Sequence, residues 1–490
     1  MVSPFFCITL ITAFSSALAS GNIQLWPDEP DYGVPVATIP LLSNVAFLNS
    51  FNSPQGVTYN PPNVDFNRVS LELLVNTTSS NYDRLGMAFF NGIEIWRTST
   101  SEPANDNAHW DYSKDVSEYL SLFKQTGHFE FLINNIVNEQ FQGTFQVSIT
   151  ANFYKSSNKP NTDDSWAIAL DNPATNIQTF RKNPTNLYWT APSDDIEISV
   201  PQQASNVNRA LIQVFASGNS NDEFWWNTHG GSGPSRFVNA YINGQPAGYA
   251  APFPIIYTGG INAELWKPLV GIRAYDVPSY FMDVTAFLPK LWSGASTLKL
   301  NISNGIDNNP VPSNWIVNVN LFTWSTPGQT NSGTMDNPQD TVNTLDNSLG
   351  TSPQHVLLTR SYSSSATLTI GGTTQKVGWN QNATFENHLT INGDDTSIFQ
   401  KFTGTDSVIG SNGVSRTFNY PLTVEIGPTK NHVQESYSIQ SPVSLYTWID
   451  TNVNLDGNGK VTDTQSSQYL EEASVSHFKK AVNGQIVETW

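Results

Sequence analysis

The chain has 490 residues, of which 38% are apolar, 12% aromatic and only 13% charged; that composition excludes a disordered chain and allows about three domains at roughly 150 residues each. With 41 acidic against 23 basic side chains, the net charge of −18 disfavours a nucleic-acid or anionic-membrane partner. The single cysteine, Cys7, excludes disulfide scaffolds, cysteine zinc sites and thiol redox motifs.

In chain order, residues 1–20 read as a signal peptide. They carry no charged side chain, an apolar run from Phe5 to Phe14, and the small-x-small pattern Ala17-Leu18-Ala19. The run is too short to span a bilayer, so the expectation is a secreted protein with no membrane association. Three glycosylation sequons follow, at Asn76, Asn301 and Asn382, in a chain rich enough in Asn to produce such matches by chance. Beyond residue 20, alternation with a period of two dominates: Val69 to Val75, Phe145 to Ile149 and Ile316 to Leu321 each read as half-buried strands. Asn91-Gly92, Asn243-Gly244 and Asn392-Gly393 sit between apolar runs as two-residue hairpin turns. Val116 to Phe123 is the best short helix. The predicted class is all-β, built from β-sandwiches.

An internal echo divides the chain. Asn67-Arg68-Val69 recurs as Asn208-Arg209-Ala210, Ala88-Phe89-Phe90-Asn91-Gly92 as Ala240-Tyr241-Ile242-Asn243-Gly244, and Asp115-Val116-Ser117 as Asp283-Val284-Thr285, all in the same order. This predicts two copies of one sandwich unit, at 21–155 and 202–325. The Asn-, Pro- and Ser-rich stretch 156–201 reads as a linker, and 326–490 as a C-terminal β-rich region.

Set against the echo, Asp83 lies 16 residues after Asn67 and Glu223 lies 15 after Asn208. Both copies therefore place a carboxylate at the end of the same strand, and side-by-side sandwiches would bring the two to one cleft. A carboxylate pair among aromatic side chains suits hydrolysis, one group activating water while the other steadies the leaving side. The competing reading is that Asp83 merely pairs with Arg84 and that Trp225 and Trp226 are core. Pro252 to Gly260, followed by Leu265-Trp266-Lys267-Pro268, reads as a rigid shaped loop or a proline-stiffened corner of the core.

Several blocks carry a family resemblance. Asp83-Arg84-Leu85, Trp96 to Pro103, Glu223-Phe224-Trp225-Trp226, Pro252 to Gly260, Leu265 to Pro268 and Asp283 to Pro289 together resemble the plant and fungal peptide-N-glycosidase A family, densely over about 24–325. That family is distantly similar to peptide-N-glycosidase F. The resemblance implies two side-by-side eight-stranded jelly rolls with the site between them, acting as an amidase on the bond between N-acetylglucosamine and the asparagine side chain of glycoproteins. It implies Asp83 as the base, Glu223 as the group that hydrogen-bonds the sugar or assists the departing glycosylamine, and Arg84 as an orienting or polarising group. Trp96, Trp226, His229, Trp266 and Lys267 are the substrate-binding candidates it suggests. The implied partners are N-glycosylated peptides, met by a monomer; no cofactor or metal is implied. Cysteines usual in the family are missing from Pro61 to Phe66 and from Phe215 to Gly218, and Phe237 stands where the family has a glutamate. Two other classes stay open: a glycan-binding, lectin-like protein, and a carboxylate-pair glycoside hydrolase.

Other signals are weaker. Asn452-x-Asn454-x-Asp456-Gly457 has a partial calcium-loop pattern but lacks its closing Glu, so a hairpin turn is favoured. The seven histidines are scattered, with no His-Glu-x-x-His.

Overall fold

The computed structural model describes residues 31–102, 108–158, 172–183, 186–307, 309–410, 413–441, 444–472 and 475–490. The chain is all-β. Eight strands make the first unit: β1 (Ala37–Phe47), β2 (Gln55–Tyr59), β3 (Arg68–Thr78), β4 (Leu85–Phe90), β5 (Ile93–Ser99), β6 (Ala108–Asp115), β7 (Gly127–Ile133) and β8 (Thr144–Tyr154). They form two antiparallel sheets ordered β1-β8-β3-β6 and β2-β7-β4-β5, the strand order of a jelly roll. The alternation seen in the sequence is the cause. Along β3, Leu71, Leu73 and Val75 are buried while Glu72, Leu74 and Asn76 face out.

The second unit repeats the plan with β9 (Asn176–Thr179), β10 (Trp189–Ala191), β11 (Ile196–Val200), β12 (Val207–Gly218), β13 (Phe237–Ile242), β14 (Gln245–Ala250), β15 (Ser279–Asp283), β16 (Ser296–Ser303) and β17 (Trp315–Ser325). Its sheets run β10-β17-β12-β15, with β9 also on β17, and β11-β16-β13-β14. Part of the stretch read as a linker is thus strand: β9, β10 and β11 belong to the second jelly roll. They are three to five residues long and separated by Asn- and Pro-containing segments; only β11 shows a period, with Ile196, Ile198 and Val200 buried and Glu197 and Ser199 exposed. The echo corresponds to one corner built twice. Asp115 Oδ1 accepts the Ser117 N–H at 3.0 Å and Asp283 Oδ1 accepts the Thr285 N–H at 2.9 Å. The hydroxyl of Ser117 receives the Val69 N–H at 2.9 Å and that of Thr285 the Ala210 N–H at 3.2 Å. Each corner continues into one turn of 3-10 helix and a short α-helix, α1 (Leu120–Phe123) and α2 (Leu288–Ser293), so the expected helix at 116–123 is a mixed turn.

The third region is one large antiparallel sheet. It comprises β18 (Ser332–Met335), β19 (Gln339–Asn347), β20 (Gln354–Ile370), β21 (Thr373–Asn392), β22 (Asp395–Ile409), β23 (Ser415–Ile426), β24 (Lys430–Gln440), β25 (Leu445–Leu455), β26 (Val461–Glu472), β27 (Val475–Val482) and β28 (Gln485–Thr489). From β20 to β28 each strand pairs with the next, and β18 and β19 share the free edge of β20. One face packs on the second jelly roll: Phe402 meets Phe237 and Trp225, Tyr420 and Tyr437 meet Phe253, and Arg360 lies 4.2 Å from the Tyr249 ring centroid. Phe237 is buried there, so the position where the family has a glutamate belongs to this packing layer.

Asn91-Gly92 and Asn243-Gly244 turn with both residues at positive φ, as two-residue hairpins of this kind require. At the third site the register pairs Asn392 with Asp395, which moves the turn to Gly393-Asp394. Asp456 closes the β25–β26 hairpin by accepting the N–H groups of Asn458 and Lys460, the turn reading of that motif. The three sequon asparagines are exposed, on β3, β16 and β21. Residues 1–20 lie outside the described residues. Among the described residues no helix is long and apolar enough to cross a membrane.

Candidate active site

The two jelly rolls meet along β5. Glu94 and Arg97, both fully buried, form an ion pair at 2.7 Å. Arg97 donates to Ser217 Oγ (3.0 Å) and the Ile316 carbonyl (2.8 Å), while Asn318 Nδ2 donates to Glu94 Oε2 (2.5 Å) and Asn320 Nδ2 to the Glu94 carbonyl (2.9 Å). On the other side of β5 the Ser99 N–H donates to the Ala274 carbonyl, and the Val277 N–H to the Arg97 carbonyl. The end of β5 is therefore held by the second jelly roll, and the site lies at that end.

Asp83 sits between β3 and β4. The pairing of β4 with β5 continues one step past Leu85 and Ser99, through Thr100 N–H to the Arg84 carbonyl (2.8 Å) and Arg84 N–H to Thr100 Oγ1 (2.8 Å). This brings Glu102 back beside Asp83, whose backbone N–H donates to Glu102 Oε2 at 3.4 Å. From the second jelly roll, the loop of Thr258-Gly259-Gly260 docks on the same strand end, Thr258 Oγ1 donating to the Thr100 carbonyl at 2.8 Å. The Gly259 N–H then donates to Asp83 Oδ2 at 2.8 Å. A side chain at position 259 would displace the Glu102 carboxylate and press on Asp83, so glycine lets the loop approach both carboxylates as they stand. Asp83 is thus held by Gly259, while the Arg84 guanidinium donates to the Ile136 carbonyl (3.3 Å) and lies 5.2 Å from the Tyr82 ring centroid.

Glu223 is presented by the segment after β12. Its neighbour Asp222 is clamped in the core, accepting from Arg236 at 2.6 and 2.7 Å and from Trp315 Nε1 at 2.6 Å. That anchoring aims Glu223 the other way, into the electrostatic reach of Asp83 and Glu102. The three carboxylates are half-buried. Burial raises the proton affinity of all three, and their mutual repulsion adds to it at Glu102 and Glu223. Glu223 has no described donor to offset this and is pushed up to about 8. For Asp83 the Gly259 N–H and the Arg84 charge pull the other way. One cluster therefore holds Glu223, which keeps its proton at neutral pH, beside Asp83, whose burial is partly offset by the Gly259 N–H and the Arg84 charge.

Of the other expected site residues, Lys267 pairs with Glu264 at 2.9 Å and its charge reaches Glu102. Trp96, Trp226 and Trp266 are fully buried and offer no face to a ligand. Trp96 donates to the Tyr275 carbonyl, and Trp266 props the glycine loop from beneath, its Nε1 donating to the Gly260 carbonyl at 2.9 Å. These three tryptophans are bracing residues rather than walls. His229 is exposed, with Nε2 on the Thr351 carbonyl at 2.9 Å, where it joins the loop to the C-terminal sheet. The exposed aromatic rings that adjoin a site carboxylate in the chain are instead Tyr82 and Phe224. Sequence reasoning singled out neither these rings nor Glu102 nor Gly259. Glu102 lies inside the block Trp96 to Pro103, and only the β4–β5 register reveals that it returns to Asp83.

Two solved structures are similar in fold. PNGF-II has 13% identity and a TM-score of 0.41 over 59% of this chain and 66% of that one. PNGase F, described as a glycosylasparaginase from Flavobacterium meningosepticum, has 13% identity and a TM-score of 0.36 over 59% of this chain and 96% of that one. The peptide-N4-(N-acetyl-beta-glucosaminyl)asparagine amidase A of Prunus dulcis is 30% identical over 301 residues, 56% of this chain and 51% of the relative. The match thus spans about half the length of that curated relative. Residues 355–422 match the PNGase_A C-terminal domain. Residues 27–341, which contain both jelly rolls and every carboxylate of the cluster, match the family described as peptide N-acetyl-beta-D-glucosaminyl asparaginase amidase A, and the chain belongs to that family.

Proposed function

We propose that the chain is a peptide-N-glycosidase: an amidase that hydrolyses the bond between N-acetylglucosamine and the asparagine side chain of glycopeptides, releasing the glycan whole. The observation that carries this reading is the meeting of Asp83, Glu102 and Glu223, supplied by both jelly rolls, with unequal proton affinities, in a chain of this family. Asp83 takes a proton from water as the oxygen attacks the side-chain amide carbon. The carbon–nitrogen bond of the resulting tetrahedral intermediate breaks as Glu223 gives its proton to the departing nitrogen. The products are an aspartate-bearing peptide and a 1-amino sugar, which loses ammonia in water. Arg84 favours the charged form of Asp83. Tyr82 and Phe224 offer rings on which sugar or peptide can pack. The proposed setting is extracellular, and the exposure of all three sequons is compatible with it.

Incubation with a defined glycopeptide tests the reading. Release of the intact glycan with conversion of Asn to Asp is expected. A sugar left on Asn would indicate a glycoside hydrolase instead, and an untouched peptide that binds would indicate a lectin. Asp83→Asn should lower the rate by about 10²–10⁴-fold; full activity in that variant removes Asp83 from the role of base.

A further inference from the structure

Two histidines far apart in the sequence face each other on the outer side of the C-terminal sheet. His355 on β20 pairs directly with His388 on β21, their rings stacked 4.0 Å apart at 17°. Glu386 stands two residues before His388 on the same face, and one donor atom from each of the three side chains lies within 4.8 Å of the others. The protonation of His355 is fixed by its neighbour. Nδ1 lies 2.7 Å from Asp346 Oδ2, and a carboxylate only accepts, so Nδ1 carries the hydrogen. The lone pair is then on Nε2, which is buried from solvent without a hydrogen-bond partner and lies 3.9 Å from Glu386 Oε1. A carboxylate that holds one imidazole nitrogen while the other is left to donate is the arrangement that orients metal-bound histidine. His388 Nε2 lies 2.8 Å from the same Glu386 oxygen.

We propose that Nε2 of His355, Nε2 of His388 and the Glu386 carboxylate bind a zinc-class divalent cation, with Asp346 as the orienting partner. Two imidazoles and a carboxylate suit Zn²⁺ better than the hard cations Ca²⁺ and Mg²⁺. Zn–N distances of about 2.0–2.1 Å need donor atoms about 3.3 Å apart, which side-chain rotation on this outer face supplies. As the cation binds, the neutral His388 ring shifts its hydrogen from Nε2 to Nδ1 by exchange with water, freeing the Nε2 lone pair for the metal. The fourth position faces solvent. The site would tie β19 to β20 and β21 beside the turn at 348–354, whose Gln354 receives the Gly230 N–H (2.8 Å) and donates to the Thr228 carbonyl (3.0 Å). Its role is structural and separate from the carboxylate cluster.

Titration of the metal-free full-length protein with Zn²⁺ by calorimetry should give one site per chain and raise the melting temperature. His388→Gln and Glu386→Gln should abolish that site, and Asp346→Asn should weaken it about 10–100-fold. Co²⁺ bound to the unaltered protein should show the intense visible absorption of a tetrahedral site, which reads coordination without relying on any variant. Absence of one-site Zn²⁺ binding, binding unchanged in both ligand variants, or an octahedral Co²⁺ spectrum would each overturn the proposal.

Discussion

At the scale of single residues, the site is a problem of unequal carboxyls. Glu223 is raised above its unfolded value to about 8, by burial first and then by the charges of Asp83 and Glu102. It is therefore protonated below that pH and loses its proton above it, as its proposed role requires. Asp83 is raised too, so it ionises only above the usual carboxylate range. The expected pH–rate profile of kcat/KM is a bell whose basic limb falls near pH 8. In Glu223→Gln the basic limb should vanish while the ceiling drops by about 10²–10⁴-fold. A basic limb that persists in that variant would assign it to another group. Legibility at this scale was uneven. Asp83 and Glu223 were visible because the echo places them at equivalent strand ends. The tryptophans misled because large aromatics in a sandwich are needed for its core, and buried rings such as Trp226 sit in sequence beside exposed ones such as Phe224.

At the scale of elements, the duplicated corner is the most informative. In each jelly roll an aspartate and a hydroxyl tie the start of one sheet's central strand to the turn after its edge strand. The first uses Ser117 and the second Thr285, so the corner tolerates either hydroxyl. Ser117→Thr should be nearly neutral in stability. Ser117→Ala leaves the buried Val69 N–H without that acceptor and should cost about 1–3 kcal/mol, read by chemical denaturation. An equal loss in both variants would mean that shape, not the hydroxyl, matters there. The corners were legible because they are local: Asp-x-hydroxyl spans three residues. The strands β9 to β11 were not, because their pairing partners β16 and β17 are distant in the chain and each is only three to five residues long. In the C-terminal region the sequence pointed to β structure but not to the reach of its strands; β21 alone runs 20 residues.

At the scale of the whole molecule, the two jelly rolls and the C-terminal sheet share one core. The first two are registered to each other by polar groups that have left water completely. Removing one partner of such a pair costs far more than the pair itself contributes. Glu94→Gln should therefore destabilise the protein by about 3–5 kcal/mol and lower activity even where the chain remains folded. Denaturation curves and the rate on glycopeptide check it together. Full stability in this variant would show that the joint is held by its apolar contacts alone.

The Gly259 N–H that steadies Asp83 comes from the opposite jelly roll. The proton affinity of Asp83, the proposed base, consequently depends in part on alignment between two bodies. A slight gape at their seam would take that donor from Asp83 but also admit water, relieving the burial that is the larger influence on its proton affinity, with no change in any site residue. The titration of Asp83 is in that sense a built-in gauge of how well the two halves are closed.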